Sequence, residues 1–434
     1  MEARELGNTC VIGLQWGDEG KGGVVDALAP DFDVVVRYSG GANAGHTIVV
    51  GAEKFALHQL PSGILHPQVV SMIACGVVLD PAVLLGEIEA LEARGVQIGE
   101  NLRVSDRAQL VFPYHRRQDI LAEQAALPNS RIGTTARGVG PCHADKVSRR
   151  WGIRVAELYD ARRFRARLTT VIAHKNAYLS ALYDFREPFD ANAMTEEYLA
   201  FAERLRPFVT DTTFELRGHI KQGRRVLFEG AQGALLDIDH GTYPYVTAAH
   251  TGIGGAATGA GAPPAAIRTI LGVVKAYSTR VGAGPMPTEL NNELGERIRE
   301  LGGEFGTTTG RPRRCGWFDA VAAAYACMFN GPTALALTHL DTLSGFEELP
   351  VCVAYRIDGR VTNLLPATAY QLERAEPVYE TLPGWREELR HCRAFNDLPR
   401  AAQDYVRFIE ERLESPVRII GVGPDRAQTI EKES

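Results

Sequence analysis

Short apolar runs separated by glycine-dense turns open the chain. Residues 10–14 (CVIGL) read as a buried strand and residues 23–29 as the start of a helix. Residues 34–36, 47–50, 69–74 and 77–79 read as further strands, followed by a helix over 81–94. Strands alternating with helices favour an α/β fold: a large, mostly parallel central sheet with surrounding helices. The period changes near residue 100. Residues 118–127, 161–185 and 195–223 carry apolar positions at helical spacing with almost no strand signal. Residues 225–228 (RVLF) return to strand, and 267–276 is another. Between them, 251–264 (TGIGGAATGAGAPP) reads, taken alone, as a flexible connector. The last third mixes strands at 333–340, 349–356 and 417–422 with a helix over 398–413. The expected organisation is therefore a central sheet domain from 1–100 plus 206–266, a mainly helical insertion over 101–205, and a smaller C-terminal α/β region over 267–434.

Composition narrows the class. The 434 residues are 45% hydrophobic and 23% charged, enough apolar material for a large core and too much for a disordered chain. Lys and Arg total 47 against 53 Asp and Glu, a net charge of −6, which disfavours nucleic acid as a partner. Seven scattered cysteines, never spaced C-x-x-C, argue against a disulfide framework and a zinc site. They fit a reducing, cytoplasmic compartment. No secretory signal is visible at the N-terminus. Residues 320–340 lack Asp, Glu, Lys and Arg, but Asn330-Gly331-Pro332 should split them into a helix and a strand of soluble core rather than a membrane span.

Several loops carry chemistry. Gln15-Trp16-Gly17-Asp18-Glu19-Gly20-Lys21-Gly22 lies between a strand and a helix, where backbone N–H groups and a helix N-terminus can face an anion. It is not a Walker A loop, because Gln15 replaces the first Gly and Gly22 the final Ser or Thr. Asp18 would repel phosphate, so it should hold a metal, act as a base, or both; the plain alternative is a tight turn with a solvated acid. Asn43-Ala44-Gly45-His46-Thr47 places an imidazole among glycine turns, suited to a developing charge. Residues 132–141, with Thr135, followed by Lys146 and Arg149-Arg150, suit phosphate oxygens. Gln232 could read a base edge. Thr307-Thr308-Thr309-Gly310-Arg311-Pro312-Arg313-Arg314 describes a carboxylate or phosphate clamp. Asp341, ending an apolar strand after His339, could accept both N1–H and N2–H of a guanine; it could equally cap a helix. Gly421 and Gly423 form a turn after the last predicted strand.

Together these segments closely resemble the adenylosuccinate synthetase family over nearly the whole chain. The resemblance rests on QWGDEGKG at 15–22, NAGHT at 43–47, FEGAQG at 228–233, DIDHGTYPYVT at 237–247 and AYSTRVGAGP at 276–285. It implies a P-loop-NTPase-like sheet without a standard Walker A. It also implies a GTP-dependent ligase that joins IMP and L-aspartate through 6-phosphoryl-IMP, with Mg²⁺. By resemblance, Asp18 and His46 are catalytic, and Asp18 with the Gly45 carbonyl holds the metal. The implied substrate contacts are Glu19, Gly20, Lys21, Asn43, Ala44, Gly45, Thr135, Gln232, Thr247, Thr307, Thr308, Thr309, Gly310 and Arg311. Arg149 matches an arginine that reaches the partner's site in a homodimer. The implied nucleotide contacts are Gly17, Gly20, Lys21, Gly22, Gly45, His46, Thr47, Arg313, His339, Asp341, Gly421 and Gly423. His339 and Gly421 depart from the family's usual Lys and Ser or Thr near the guanine, while Asp341 is retained. Two other readings compete. A paralogous ligase for another purine nucleotide should lack the carboxylate at 18, and an inactive GTP-binding regulator should lack Asp18 or His46.

Overall fold

The computed structural model describes residues 7–51, 53–127, 130–306 and 310–432. Ten strands form one sheet. Its order is Thr429–Glu431, Val417–Gly421, Ala334–Thr338, Thr269–Lys275, Thr9–Gly13, Val226–Glu229, Val34–Arg37, Val70–Ile73, Leu102–Ser105 and Val209–Thr210. Every neighbouring pair is parallel except the last-formed edge, Val417–Gly421 with Thr429–Glu431. The strand Thr9–Gly13 lies inside the sheet and is buried along its full length. Continuous apolar runs are what a parallel sheet covered on both faces requires. One face packs Val24, Val25, Ala29 and Phe32 of the first helical region onto Val11, Val35 and Val273. The other belongs to a core that runs from Cys10 to Ile430.

Because the strands are parallel, their C-terminal ends share one edge. The loops after Gly13, Arg37, Glu229, Thr338 and Gly421 therefore converge, although they come from opposite ends of the sequence. Ligands in open α/β sheets bind at this kind of edge.

The segments expected as three units share this sheet. Leu102–Ser105, at the start of the helical stretch, pairs with Val70–Ile73, and Thr269–Lys275 pairs with Thr9–Gly13. Within the expected C-terminal region, a four-stranded sheet of Phe318–Asp319, Glu348–Ile357, Arg360–Thr362 and Glu376–Pro383 and the antiparallel pair Ser278–Arg280 with Arg314–Gly316 stand apart from the main sheet. The 195–223 stretch is not one helix. Ala191–Leu205 ends before Pro207, Val209–Thr210 joins the sheet edge, and Asp211 caps Thr212–Lys221 by accepting from Phe214 N. Residues 251–264 are not a loose connector either, because Ile253–Ala260 is a helix. Its Gly259 lies so close to Tyr38 that a Cβ there would sit 2.2 Å from the Tyr38 carbonyl oxygen. The glycines serve close packing rather than freedom. The strand expected at 47–50 is half of an antiparallel hairpin, His46–Val50 with Glu53–Leu57, outside the main sheet. Residues 320–340 split as expected into the helix Ala320–Asn330 and the strand Ala334–Thr338, with Gly331 at φ 59° between them. Among the described residues, no helix is long and apolar enough to cross a membrane.

Candidate active site

One cavity of about 1300 Å³ opens along the C-terminal edge of the sheet. Its wall includes Asp18 and His46 together, with Gly17, Gly20, Lys21, Gly22, Asn43, Ala44, Gly45, Thr47, Thr135, Gln232, Thr247, Arg313, His339, Asp341, Gly421 and Gly423. Sequence reasoning placed all of these at a common site.

The turn 15–22 is built around a buried acid. Glu19 Oε1 accepts from Gln15 N at 3.0 Å and Gly17 N at 2.9 Å, while Oε2 pairs with Lys21 Nζ. Glu19 was expected to touch substrate. It is fully buried instead, off the cavity wall, and its carboxylate is spent on the turn. Gly13 and Gly233 leave room for it, since a Cβ at either would lie 2.4 Å from a Glu19 carboxylate oxygen. The Gln15 amide docks the turn to its neighbouring strand, accepting from Lys275 N and donating to the Lys275 and Tyr277 carbonyls. Gly20 adopts φ 84°, and the helix Lys21–Leu28 begins directly after it. The N-terminus of this helix thus faces the cavity.

Asp18 does not stand free. Its Oδ2 lies 2.9 Å from Arg313 Nε, and Arg313 Nη1 lies 2.7 Å from Glu304 Oε2. Glu304 in turn pairs with Lys275 Nζ at 2.6 Å and accepts from the Tyr277 hydroxyl. Burial pushes the Glu304 carboxyl up, but Lys275, His339 and Arg313 outweigh it and bring it to about 2. The result is a buried lattice of charge that sets where Arg313 sits.

His46 begins its hairpin, and Gly22 makes space for it: a Cβ at Gly22 would lie 2.8 Å from His46 Cβ. His46 Nδ1 lies 2.6 Å from Glu229 Oε1. Glu229 is fully buried at the end of its strand and also accepts from Ser62 N and Ser62 Oγ. Burial opposes its ionisation, but His46, Arg37 and the Ser62 N–H hold it below the usual carboxylate range. The pair turns the other ring nitrogen, Nε2, away from the carboxylate. Sequence reasoning quoted Glu229 inside FEGAQG without giving it a role. A lone acid ending the apolar run 226–228 was the available signal.

Buried Asn43 Oδ1 and Gln232 Oε1, also on the cavity wall, have no protein partner among the described residues. Two amide oxygens left unpaired at a cavity favour a ligand that donates hydrogen bonds. The loop carrying Thr135 is held from below by the helix Pro113–Ala125. Asp119 accepts from Thr134 Oγ1 and Gly138 N, both at 2.9 Å, and Glu123 accepts from Gly133 N at 2.7 Å. Residues beyond 138 continue as a helix, Val139–Ser148, that the glycine-rich sequence concealed.

Elsewhere on the wall, Asp341 Oδ2 lies 3.4 Å from Arg390 Nε. Burial raises the Asp341 carboxyl above its ordinary range, against the pull of Arg390. Burial, with Lys275 behind it, lowers the His339 imidazole to about 4, so this ring is neutral near pH 7. His339 borders Gly20 and stacks edge-on to Tyr277 at 6.1 Å between centroids.

Two further expected contacts, Gly310 and Arg311, are exposed and lie off this wall. Arg313, two residues on, points in instead. Arg149 ends its helix at φ 63°, exposed and away from this chain's cavity. Thr307, Thr308 and Thr309 lie outside the described residues.

For a hard divalent cation, the Asp18 carboxylate and the Gly45 carbonyl supply oxygen donors on the same wall. A second group, Asp237, Asp239 and His250, could also be drawn together. There, however, both Asp237 oxygens are occupied by backbone N–H groups, of Asp239 and His240 on Oδ1 and of Thr251 on Oδ2. Asp237 is a loop clamp, and Asp18 with Gly45 fits an ion better.

A mostly parallel sheet, a glycine turn feeding a helix N-terminus, and an acid and imidazole in one cavity define a nucleotide-dependent enzyme. A family model described as adenylosuccinate synthetase matches residues 10–430. The adenylosuccinate synthetase of Heliobacterium modesticaldum is 51% identical over 426 residues, covering 98% of this chain and 99% of its own. That of Synechococcus elongatus is 50% identical over 425 residues, covering 98% and 95%. The structure of fully ligated adenylosuccinate synthetase from Plasmodium falciparum matches with a TM-score of 0.92 at 39% identity, over 98% of this chain and all of that one. A cyanophage S-2L succinoaminodeoxyadenylate synthetase, bound to dGMP and dATP as an energy donor, shares the fold at 22% identity and a TM-score of 0.64, over 99% and 96%. The chain belongs to the adenylosuccinate synthetase family, and it is a ligase of purine biosynthesis.

Proposed function

We propose that this chain joins IMP and L-aspartate into adenylosuccinate while GTP becomes GDP and phosphate, the first committed step from IMP toward AMP. The observation that carries this reading is that Asp18, His46 and Asp341 line one cavity. A purine O6 is a poor leaving group, so it must be activated before an amine can replace it. Asp18 takes the N1 proton of IMP, which makes O6 nucleophilic. O6 attacks the γ-phosphorus of GTP, the bond to the β-phosphate oxygen breaks, and GDP leaves. The aspartate amine then attacks C6, loses a proton, and displaces phosphate from 6-phosphoryl-IMP. His46, oriented by Glu229, directs Nε2 at the phosphoryl group in transit. The N–H groups opening Lys21–Leu28 bind phosphate oxygens.

Asn43 and Gln232 hold IMP, and Thr135 and Thr247 its phosphate side. Asp341 reads the guanine. Residues 307–313 serve L-aspartate, as the family resemblance implies. Asp18 and the Gly45 carbonyl would hold Mg²⁺, which would supply charge neutralisation on the phosphates. Arg149, exposed and remote from its own cavity, supports a homodimer in which it completes the partner's site. Seven free cysteines support a cytoplasmic location.

An assay of the purified protein with IMP, L-aspartate and GTP, following adenylosuccinate by absorbance, tests the reading. Asp18→Asn should lose turnover while still binding GTP. A near-normal rate in that variant refutes Asp18 as the base.

A further inference from the structure

The guanine end of the cavity holds a cation that no part of the reaction above uses. Arg390 lines the cavity beside Asp341, with Nε 3.4 Å from Asp341 Oδ2. The Arg390 side chain is 51% exposed, and Asp341 only 12%. Among the described residues, Nη1 and Nη2 of Arg390 have no protein partner. Its backbone is nevertheless well placed. Leu389 and Cys392 on either side are buried in the main core. Trp385 Nε1 donates to Ser344 Oγ at 3.1 Å, and Gly345 N donates to the Trp385 carbonyl at 2.7 Å. The segment bearing Arg390 is thus docked onto the turn bearing Asp341, and the two charged groups form one edge.

That edge has a hydrogen-bonding pattern. A carboxylate offers two acceptors and a guanidinium beside it offers donors. Guanine presents the complement: N2–H and N1–H donors, then the O6 acceptor. Adenine presents an acceptor at N1 and a donor at N6, so each group would meet its own kind. We propose that Arg390 is a second base-reading residue, donating to O6 of the guanine whose N1–H and N2–H Asp341 accepts. The proposal rests on the reading of Asp341 given above. It makes selection for guanine over adenine a property of a charge pair rather than of one carboxylate. A pair of this kind discriminates by repulsion as well as attraction.

The probes are GTP, ATP and 6-thio-GTP, which keeps N1–H and N2–H but replaces O6 with a weak acceptor. Steady-state KM and calorimetric binding are measured for the unsubstituted protein and for Arg390→Ala and Arg390→Lys. Loss of a charge-assisted hydrogen bond should raise KM and Kd for GTP roughly tenfold or more in Arg390→Ala. The value for 6-thio-GTP should stay near its starting point and ATP should bind as before or tighter, as a donor facing its N6 amino group is gone, so that preference for GTP over both shrinks, while KM for IMP does not move. Arg390→Lys, which keeps charge but loses the fork, should fall between. Three results overturn the proposal: unchanged GTP affinity, tighter GTP binding because Arg390 merely covers Asp341, or an equal loss for all three nucleotides. If the unsubstituted protein makes no adenylosuccinate, the activity itself is wrong, and the calorimetric comparison still decides the role of Arg390.

Discussion

Glu19 shows how a residue expected to touch substrate can have its side chain spent inside the turn that carries it. Next to Asp18 in sequence, it has the opposite environment: no exposure, two backbone donors on one oxygen and an ammonium on the other. The sequence could not separate the two acids, because the difference lies in Gly13 and Gly233, whose missing side chains make the hole that Glu19 fills. Glu19→Gln would leave Lys21 without its partner. Breaking a buried ion pair costs about 3–5 kcal/mol, and the lower end applies because Lys21 borders the cavity and can rehydrate. Urea unfolding followed by tryptophan fluorescence should therefore show a loss of roughly 3 kcal/mol; a loss below about 1 kcal/mol, typical of an exposed pair, would contradict this account. Glu229 and Glu304 were hidden for a related reason. Their partners, His46 for the first and Lys275 with Arg313 for the second, meet them only through the fold.

At the scale of elements, most parallel strands were legible because they are short, largely buried apolar runs, but Leu102–Ser105 and Val209–Thr210, short and partly polar, lay hidden in stretches expected to be helical. The helices Val139–Ser148 and Ile253–Ala260 were hidden too, because glycine signals turns and connectors in a bare sequence, whereas Gly259 here permits contact with Tyr38. The helix Pro113–Ala125 does more than pack. Asp119 and Glu123, one turn apart, hold the 132–138 loop that presents Thr135. Asp119→Ala removes two bonds to a charged acceptor from that loop. It should raise KM for IMP about tenfold and leave KM for GTP unchanged, as read from initial rates with each substrate varied in turn. Equal changes in both constants would mean that Asp119 supports the whole cavity rather than this loop.

At the scale of the molecule, the broad architecture and the convergence of most site residues followed from motif order, but the placing of single arginines did not. Arg311 and Arg313 are two residues apart, yet Arg313 lines the cavity and pairs with Asp18 while Arg311 is exposed and off the wall. Arg149 faces away from its own cavity, which leads to a test of assembly. Arg149→Ala and Asp18→Asn chains should each be nearly inactive alone. Mixed and allowed to exchange, they should regain up to about a quarter of full activity, because hybrid dimers contain one site with neither lesion. No recovery on mixing would place Arg149 outside the partner's site. The sheet order carries a further consequence, for the chain as it is being made. The strand Thr9–Gly13 emerges early, but the loop at Gly423 that closes the cavity follows Val417–Gly421, which docks beside Ala334–Thr338. A nascent chain halted before residue 417 would have its acid and imidazole already synthesised and still lack that wall, so nucleotide capture should await the final stretch of translation.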